Sequence, residues 1–185
     1  MNGGEETPWT PVETLSAWDK KYLCKALFVS NWSKDPSTKV GCVLTTSDYR
    51  PISDGYNGLP KSVRGVEEAY LPQDLKRLMT IHAELNALLF AKEIPGGAKA
   101  YVTQPPCSGC MAALLQRGVS DITYLDSRTG KGNLSEHWHT SLQAASLLSS
   151  NYYPLDPHSI RSIRRVDRDA VRVLYNEMVK LPEEK

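Results

Sequence analysis

The sequence predicts an α/β protein built on a layered sheet. Three observations carry that expectation. Short apolar, β-branched stretches alternate along the chain with segments of helical period. Gly and Pro, 12 of each, punctuate these segments. The length of 185 residues, with 41% hydrophobic and 23% charged side chains, fits one globular domain. Such a chain buries roughly 70% of the surface its unfolded form exposes and needs no disulfide scaffold. Fibrous, low-complexity and disordered classes are excluded.

Residues 1–13 carry Gly, Glu and two Pro without an apolar period and read as a flexible N-terminus. From Thr14 onward, Leu15, Trp18, Tyr22, Leu27 and Phe28 recur with a mostly helical spacing, and Asp35-Pro36 closes that segment. Val40 to Thr46 is β-branched and apolar, Ser47-Asp48 supplies a turn, and Pro51 to Tyr56 returns as the second strand of a hairpin. Residues 60–78, with Pro60, Gly65 and Pro72, read as a long loop holding a short helical piece. Thr80 is placed as the cap of a helix over Ile81 to Lys92 with Leu85, Leu88 and Leu89 inward, ended by Pro95-Gly96-Gly97. Lys99 to Thr103 reads as a strand, Cys107 to Arg117 as a helix stopped by Gly118, and Asp121 to Leu125 as another strand. Ser135 to Ser149 has helical spacing, and Tyr152-Tyr153 forms a short last strand. A final helix is expected from Pro157 or later to Leu181, with Ile160, Ile163, Ala170, Leu174 and Met178 along one side. Arg161, Arg165, Arg168 and Arg172 would form a stripe on it, read as a solvated face partly paired with Asp167 and Asp169.

Charge excludes whole partner classes. Lys plus Arg number 22 against 21 Asp plus Glu, a net charge of +1, so no global field draws the chain to nucleic acid or acidic lipid. Neither a nucleic-acid nor a membrane partner is expected, and any anion site must be local. The start MNGGEETPWTP has no basic segment followed by an apolar stretch, and no window approaches the roughly 18 apolar residues of a membrane span. A cytoplasmic, reducing address follows. Of the four cysteines only Cys107 and Cys110 lie close enough to hold one metal, while Cys24 and Cys42 read as small core residues. His137, His139 and His158 read as surface or loop residues.

The chemistry concentrates at two helix starts. His82 and Glu84 open one predicted helix, and Cys107 and Cys110 open the next. Two thiolates and an imidazole fill three corners of a zinc tetrahedron and leave the fourth for water, as in catalytic rather than structural sites. Helix N-termini add the positive end of the macrodipole, which favours thiolates. Glu84, two residues beyond His82, can face the same pocket and is free to carry protons.

With His82-Ala-Glu84 and Pro106-Cys107-Ser-Gly-Cys110 the chain resembles the zinc-dependent cytidine-type deaminases, whose signature is H-x-E followed by P-C-x-x-C. Ser33-Lys-Asp-Pro36 with Lys39-Val-Gly41, Gly55-Tyr-Asn-Gly58 and His82-Ala-Glu-Leu-Asn-Ala87 are similar to the deoxycytidylate (dCMP) deaminases within that superfamily. The resemblance implies a three-layer α/β/α fold with a mixed central sheet of about five strands over residues 14–153. Residues 154–185 are left as a helical extension packed on the domain or on a neighbouring subunit. It further implies catalytic zinc, one per chain, on His82, Cys107 and Cys110, and Glu84 as proton shuttle in hydrolysis of dCMP to dUMP and ammonia, supplying dUMP for thymidylate synthesis. Asn57 would contact the deoxyribose hydroxyl, the Ala83 N–H would bind the pyrimidine oxygen, and Pro106 would line the substrate site. Family members commonly form homo-oligomers, with a hexamer favoured, and respond to dCTP and dTTP, with Mg²⁺ accompanying a regulatory triphosphate. Some also hold a second, structural zinc through Cys and His before the H-A-E motif, and residues 59–81 contain neither.

A 5′-phosphate needs a local basic pocket, for which Lys34, Lys39, Lys61, Arg64, Arg128 and Lys131 are the candidates. Tyr56, Tyr124 and Trp138 could each wall the pocket. Deamination of a 5-substituted dCMP, of cytidine or of a base within nucleic acid stays open, as does a zinc-stabilised nucleotide-binding module without turnover.

Overall fold

The computed structural model describes residues 9–63, 71–126 and 162–180. In chain order these form β1 (Trp9–Thr10), α1 (Ala17–Ser30), β2 (Gly41–Thr45), β3 (Pro51–Tyr56), α2 (Gln73–Met79), α3 (Ala83–Phe90), β4 (Ala98–Val102), α4 (Ser108–Gln116), β5 (Val119–Asp126), β6 (Ser162–Asp167) and α5 (Arg168–Val179). The expected helix at 135–149 and the strand at Tyr152-Tyr153 lie outside the described residues.

The strands make one six-stranded mixed sheet in the order β1-β6-β5-β4-β2-β3. β2 runs antiparallel to both β3 and β4, whereas β4, β5, β6 and β1 are mutually parallel. Strand alternation divides the core between the two faces. Cys42, Leu44, Ala100, Val102 and Ile122 meet Ala83, Ala87 and Leu88 of α3 and Met111 and Leu114 of α4. Val43, Tyr101, Leu125 and Val166 meet Tyr22, Leu23, Ala26, Leu27 and Val29 of α1 and Val171 of α5. The result is the expected three-layer α/β/α arrangement. No helix among the described residues is long and apolar enough to cross a membrane.

Two glycines set the spacing of the layers. A Cβ on Gly41 would stand 2.2 Å from the Ala26 carbonyl oxygen of α1, and one on Gly55 would stand 2.4 Å from the Ala87 amide nitrogen of α3. Backbone therefore touches backbone at both places, with α1 on one face of the sheet and α3 on the other. The α3 contact is closed further by Ser53 Oγ donating to the Ala87 carbonyl (2.8 Å) and Asn86 Nδ2 donating to the Tyr56 carbonyl (2.8 Å).

Several sequence expectations are corrected. The final helix does not begin near Pro157. Ser162–Asp167 is a strand filling the slot between β1 and β5, and the helix starts only at Arg168, capped by the Asp167 carboxylate accepting from the Asp169 N–H (3.0 Å). The local spacing of Ile163 suits a helix, but the free edge of β5 offers backbone partners, and long-range pairing overrides the local period. The arginine stripe dissolves with it. Arg165 sits on β6 against Asp126 (2.8 Å), Arg168 donates to the Thr103 carbonyl, Arg172 stands 3.9 Å from Asp169, and Arg161 lies outside the described residues. Thr80 does not cap α3. It ends α2, its hydroxyl donating to the Lys76 carbonyl (2.7 Å), and His82 is the N-cap of α3. Leu85 and Leu89 do not point inward but are 40% and 66% exposed, because the close approach of α3 to Gly55 places the small Ala83 and Ala87 against the sheet. At the N-terminus, Trp9–Thr10 pairs with Arg165 and Val166, so the segment read as flexible is held from residue 9.

Candidate metal centre

α3 and α4 lie on the same face of the sheet and begin with residues in the same geometry. His82 is the N-cap of α3 (φ −67°, ψ 154°) and Cys107 the N-cap of α4 (φ −69°, ψ 167°). Neither side chain caps its own helix. Each turns toward the other, and Cys110, one turn into α4, joins them. The ligand atoms of His82, Cys107 and Cys110 all lie within 4.8 Å of one another, and each sulfur stands 3.5 Å from His82 Nδ1. A tetrahedral zinc with Zn–S of about 2.3 Å and Zn–N of about 2.0 Å requires an N···S edge of about 3.5 Å. The donor set and its spacing therefore fit zinc. Among the described residues this is the one such group.

Electrostatics agree with the geometry. The Cys107 thiol is pulled well below its ordinary range by its hydrogen bonds with Cys110 and His82, outweighing burial. The Cys110 thiol is pushed up by the same Cys107 bond and by burial. His82 is raised chiefly by its bond to Cys107. Glu84, only 4% exposed, is pushed up to about 7 by burial, with its own backbone N–H and the nearby His82 acting in the opposite direction. A carboxyl held there can both accept and return a proton near neutral pH. Beneath the site, the fully buried Cys42 thiol is raised well above its ordinary range by burial, with the charges of Glu84 and Asp54 adding to it. It packs as the core residue expected from the sequence.

A sequence model described as the cytidine and deoxycytidylate deaminase zinc-binding region matches residues 16–126, which include His82, Glu84, Cys107 and Cys110. The chain belongs to this deaminase family. An uncharacterized deaminase of Aliivibrio fischeri is 42% identical over 108 residues, covering 58% of this chain and 72% of that protein. The deoxycytidylate deaminase of Schizosaccharomyces pombe is 30% identical over 149 residues, 75% of this chain. The chain spans only 45% of the yeast protein's length. A crystal structure of the cyanophage S-TIM5 dCMP deaminase with dCMP and dUMP superposes with a TM-score of 0.57 at 19% identity, over 82% of this chain and 98% of that one. It shares the fold.

The remaining candidate residues of this family member fall at several places. Ala83 is the first residue of α3, and the buried Pro106 directly precedes Cys107. Asn57 is buried, and its amide is engaged with the chain itself: Oδ1 accepts from the Val40 N–H (2.8 Å) and Nδ2 donates to the Thr38 carbonyl (2.9 Å). Lys34 and Lys39 are exposed on the 33–40 loop held by these bonds. Lys61 lies over the Phe90 ring (4.3 Å), at a cleft of about 740 Å³ along β3 and α3 that also includes Tyr56. Tyr124 is half-buried on β5. Arg64, Arg128, Lys131 and Trp138 lie outside the described residues.

Lys76 and Asp35 escape sequence reasoning. Lys76 Nζ lies 3.0 Å from Asp35 Oδ1, with side chains only 10% and 7% exposed. Asp35 belongs to the Ser-Lys-Asp-Pro motif, but nothing in the spacing marks Lys76, 41 residues later, as its partner.

Proposed function

We propose that the protein is a zinc-dependent hydrolase converting dCMP to dUMP and ammonia. The observation that carries this reading is the convergence of His82, Cys107 and Cys110 at two adjacent helix starts, with the buried carboxyl of Glu84 beside them. His82, Cys107 and Cys110 would hold the zinc, which supplies a Lewis acid that activates water near neutral pH. Glu84 takes the proton from water, delivers it to N3 of the pyrimidine, and carries the second proton to the exocyclic nitrogen so that it leaves as ammonia. Its burial suits both directions of transfer. The Ala83 N–H would donate to the pyrimidine oxygen, a role supported by its position as the first residue of α3, at the positive end of the helix. Pro106, buried and directly before Cys107, would line the substrate pocket. Asn57 shapes the sugar side by fixing the 38–40 backbone, and its Nδ2 retains a second hydrogen for the deoxyribose hydroxyl.

The near-neutral charge of the whole chain supports a small nucleotide over a polynucleotide, and the named relatives support dCMP over cytidine. Assembly into a homo-oligomer belongs to the same proposal. Trp32, Tyr56, Leu89 and Phe90 leave apolar surface exposed around β3 and α3, and dCTP or dTTP with Mg²⁺ would act near that edge. Ammonia release from dCMP, cytidine, 5-methyl-dCMP and a cytosine-containing oligonucleotide, measured in parallel on protein of known zinc content, tests the substrate. Turnover of dCMP well above the others is expected; turnover of the oligonucleotide alone contradicts the substrate assignment.

A further inference from the structure

Away from the metal centre, one buried ion pair organises a loop that the metal chemistry does not use. Asp35 Oδ1 accepts from Lys76 Nζ (3.0 Å), from the Ser37 N–H (2.8 Å) and from the Thr38 N–H (3.0 Å). The Thr38 carbonyl accepts from Asn57 Nδ2 (2.9 Å), the Val40 N–H donates to Asn57 Oδ1 (2.8 Å), and Ser33 Oγ donates to the Asn57 carbonyl (2.8 Å). Gly58 and Ile81 then exchange both backbone bonds (2.9 and 3.1 Å), one residue before His82. An unbroken set of bonds thus runs from α2 through the 33–40 loop and the Gly-Tyr-Asn-Gly segment to the first metal-ligand candidate. Burial alone would raise the Asp35 carboxyl, but the Ser37 and Thr38 amides and Lys76 outweigh it and keep the group ionised. Desolvating both charges is costly, and removing either partner would leave the other buried and uncompensated, so the loop geometry around Asp35 depends on Lys76.

We propose that Asp35 and Lys76 are positioning residues for the nucleotide: together they hold the 33–40 loop in the form that presents Lys34, Lys39 and Asn57 to the sugar and phosphate. This rests on the nucleotide-deaminase reading above. Lys76 acts through Asp35 and touches no reacting atom. Its ammonium fixes the carboxylate, and the carboxylate fixes the successive Ser37 and Thr38 amides, the second of them next to the exposed Lys39. A preformed loop spares the ordering that binding would otherwise require. Its loss falls on substrate binding rather than on the proton transfers, which belong to α3 and α4.

The test uses full-length, zinc-loaded Lys76→Met, Asp35→Asn and the double variant, with dCMP kinetics. KM is expected to rise by about tenfold or more while kcat stays within about twofold. The double variant should be no worse than the poorer single, since the two residues act as one unit. Lys76→Arg, which keeps the charge, should recover most of the KM. A KM unchanged within twofold, or a fall in kcat at constant KM, overturns the proposal. Should the variants fail to fold, amide hydrogen exchange on the wild-type protein decides: Ser37, Thr38 and Val40 are expected to be protected without nucleotide, and exchange at unprotected rates overturns the preformed loop. Wild-type turnover of cytidine in place of dCMP would refute the substrate reading while leaving this exchange result to stand or fall by itself.

Discussion

His82 and Cys107 occupy the same position in two different helices, and that coincidence explains why a metal set can form between residues 25 apart in sequence. An N-cap residue has extended backbone and a side chain free to turn away from its helix. Here both turn toward one point. Cys107→Ser should therefore lower bound zinc well below one per chain by elemental analysis while leaving α4 intact by circular dichroism, since the cap geometry does not depend on sulfur. Asp19 offers a second prediction at this scale. It accepts from Tyr101 Oη (2.7 Å) and from Arg164 Nη1 (2.8 Å) while its own N–H donates to Ser16 Oγ (3.0 Å) in a capping box. Burial would raise its carboxyl, but the Arg164 and Tyr101 bonds and the guanidinium charge hold it down at about 2, against an ordinary 3.8. A depressed carboxyl contributes stability above about pH 4 and loses it as pH falls toward 2, a change of about 2 kcal/mol. The stability gap between wild type and Asp19→Asn in urea unfolding should accordingly be largest at neutral pH and shrink toward pH 2; a gap independent of pH would remove this role.

At the level of elements, the contact between β3 and α3 decides where the site sits. Gly55 lets the two backbones touch, which brings the start of α3 against the end of the hairpin. Gly55→Ala would drive a methyl group into the Ala87 amide nitrogen and the Ala83 carbonyl oxygen, 2.4 and 2.5 Å from the added Cβ, both of them backbone atoms that cannot rotate aside. The expected outcome is a Tm lower by about 5 °C or more together with weakened zinc binding, since His82 moves with α3. The sequence made much of this region legible: the hairpin, α3, β4, α4 and β5 were all marked by period and breakers. It misassigned the start of α3, because Thr80 looks like a cap until the Gly58–Ile81 bridge is known to straighten the chain up to His82. It also turned Leu85 and Leu89 inward, since period alone says that a helix has an apolar face, whereas Gly55 decides that alanines fill it. The metal set and Glu84 were legible because a short motif fixes their local geometry. The Asp35–Lys76 pair was not, because a contact across 41 residues leaves no local trace.

For the whole molecule, β6 and α5 complete the sheet rather than decorate it. β6 lies between β1 and β5, and its Val166 and the Val171 of α5 are fully buried with Leu125 and α1. Arg164 of β6 carries the charge that holds Asp19 of α1, so these two elements, far apart in sequence, stabilise one another. Ending the chain at residue 161 would expose Leu125 and the edge of β5, and such a protein should be insoluble or lose its cooperative thermal transition; a soluble, fully active truncation would contradict this view of the last two elements. The architecture thus surrounds a site formed by two helix starts, at which the proposed mechanism gives the proton transfers to Glu84. The most direct test of that claim is ammonia release from dCMP by zinc-loaded wild-type protein and Glu84→Ala at equal zinc content. The expected result is steady turnover by the wild type and a fall of about 10²–10⁴-fold or more in the variant, with zinc still bound. Near-normal turnover by Glu84→Ala would contradict the mechanism.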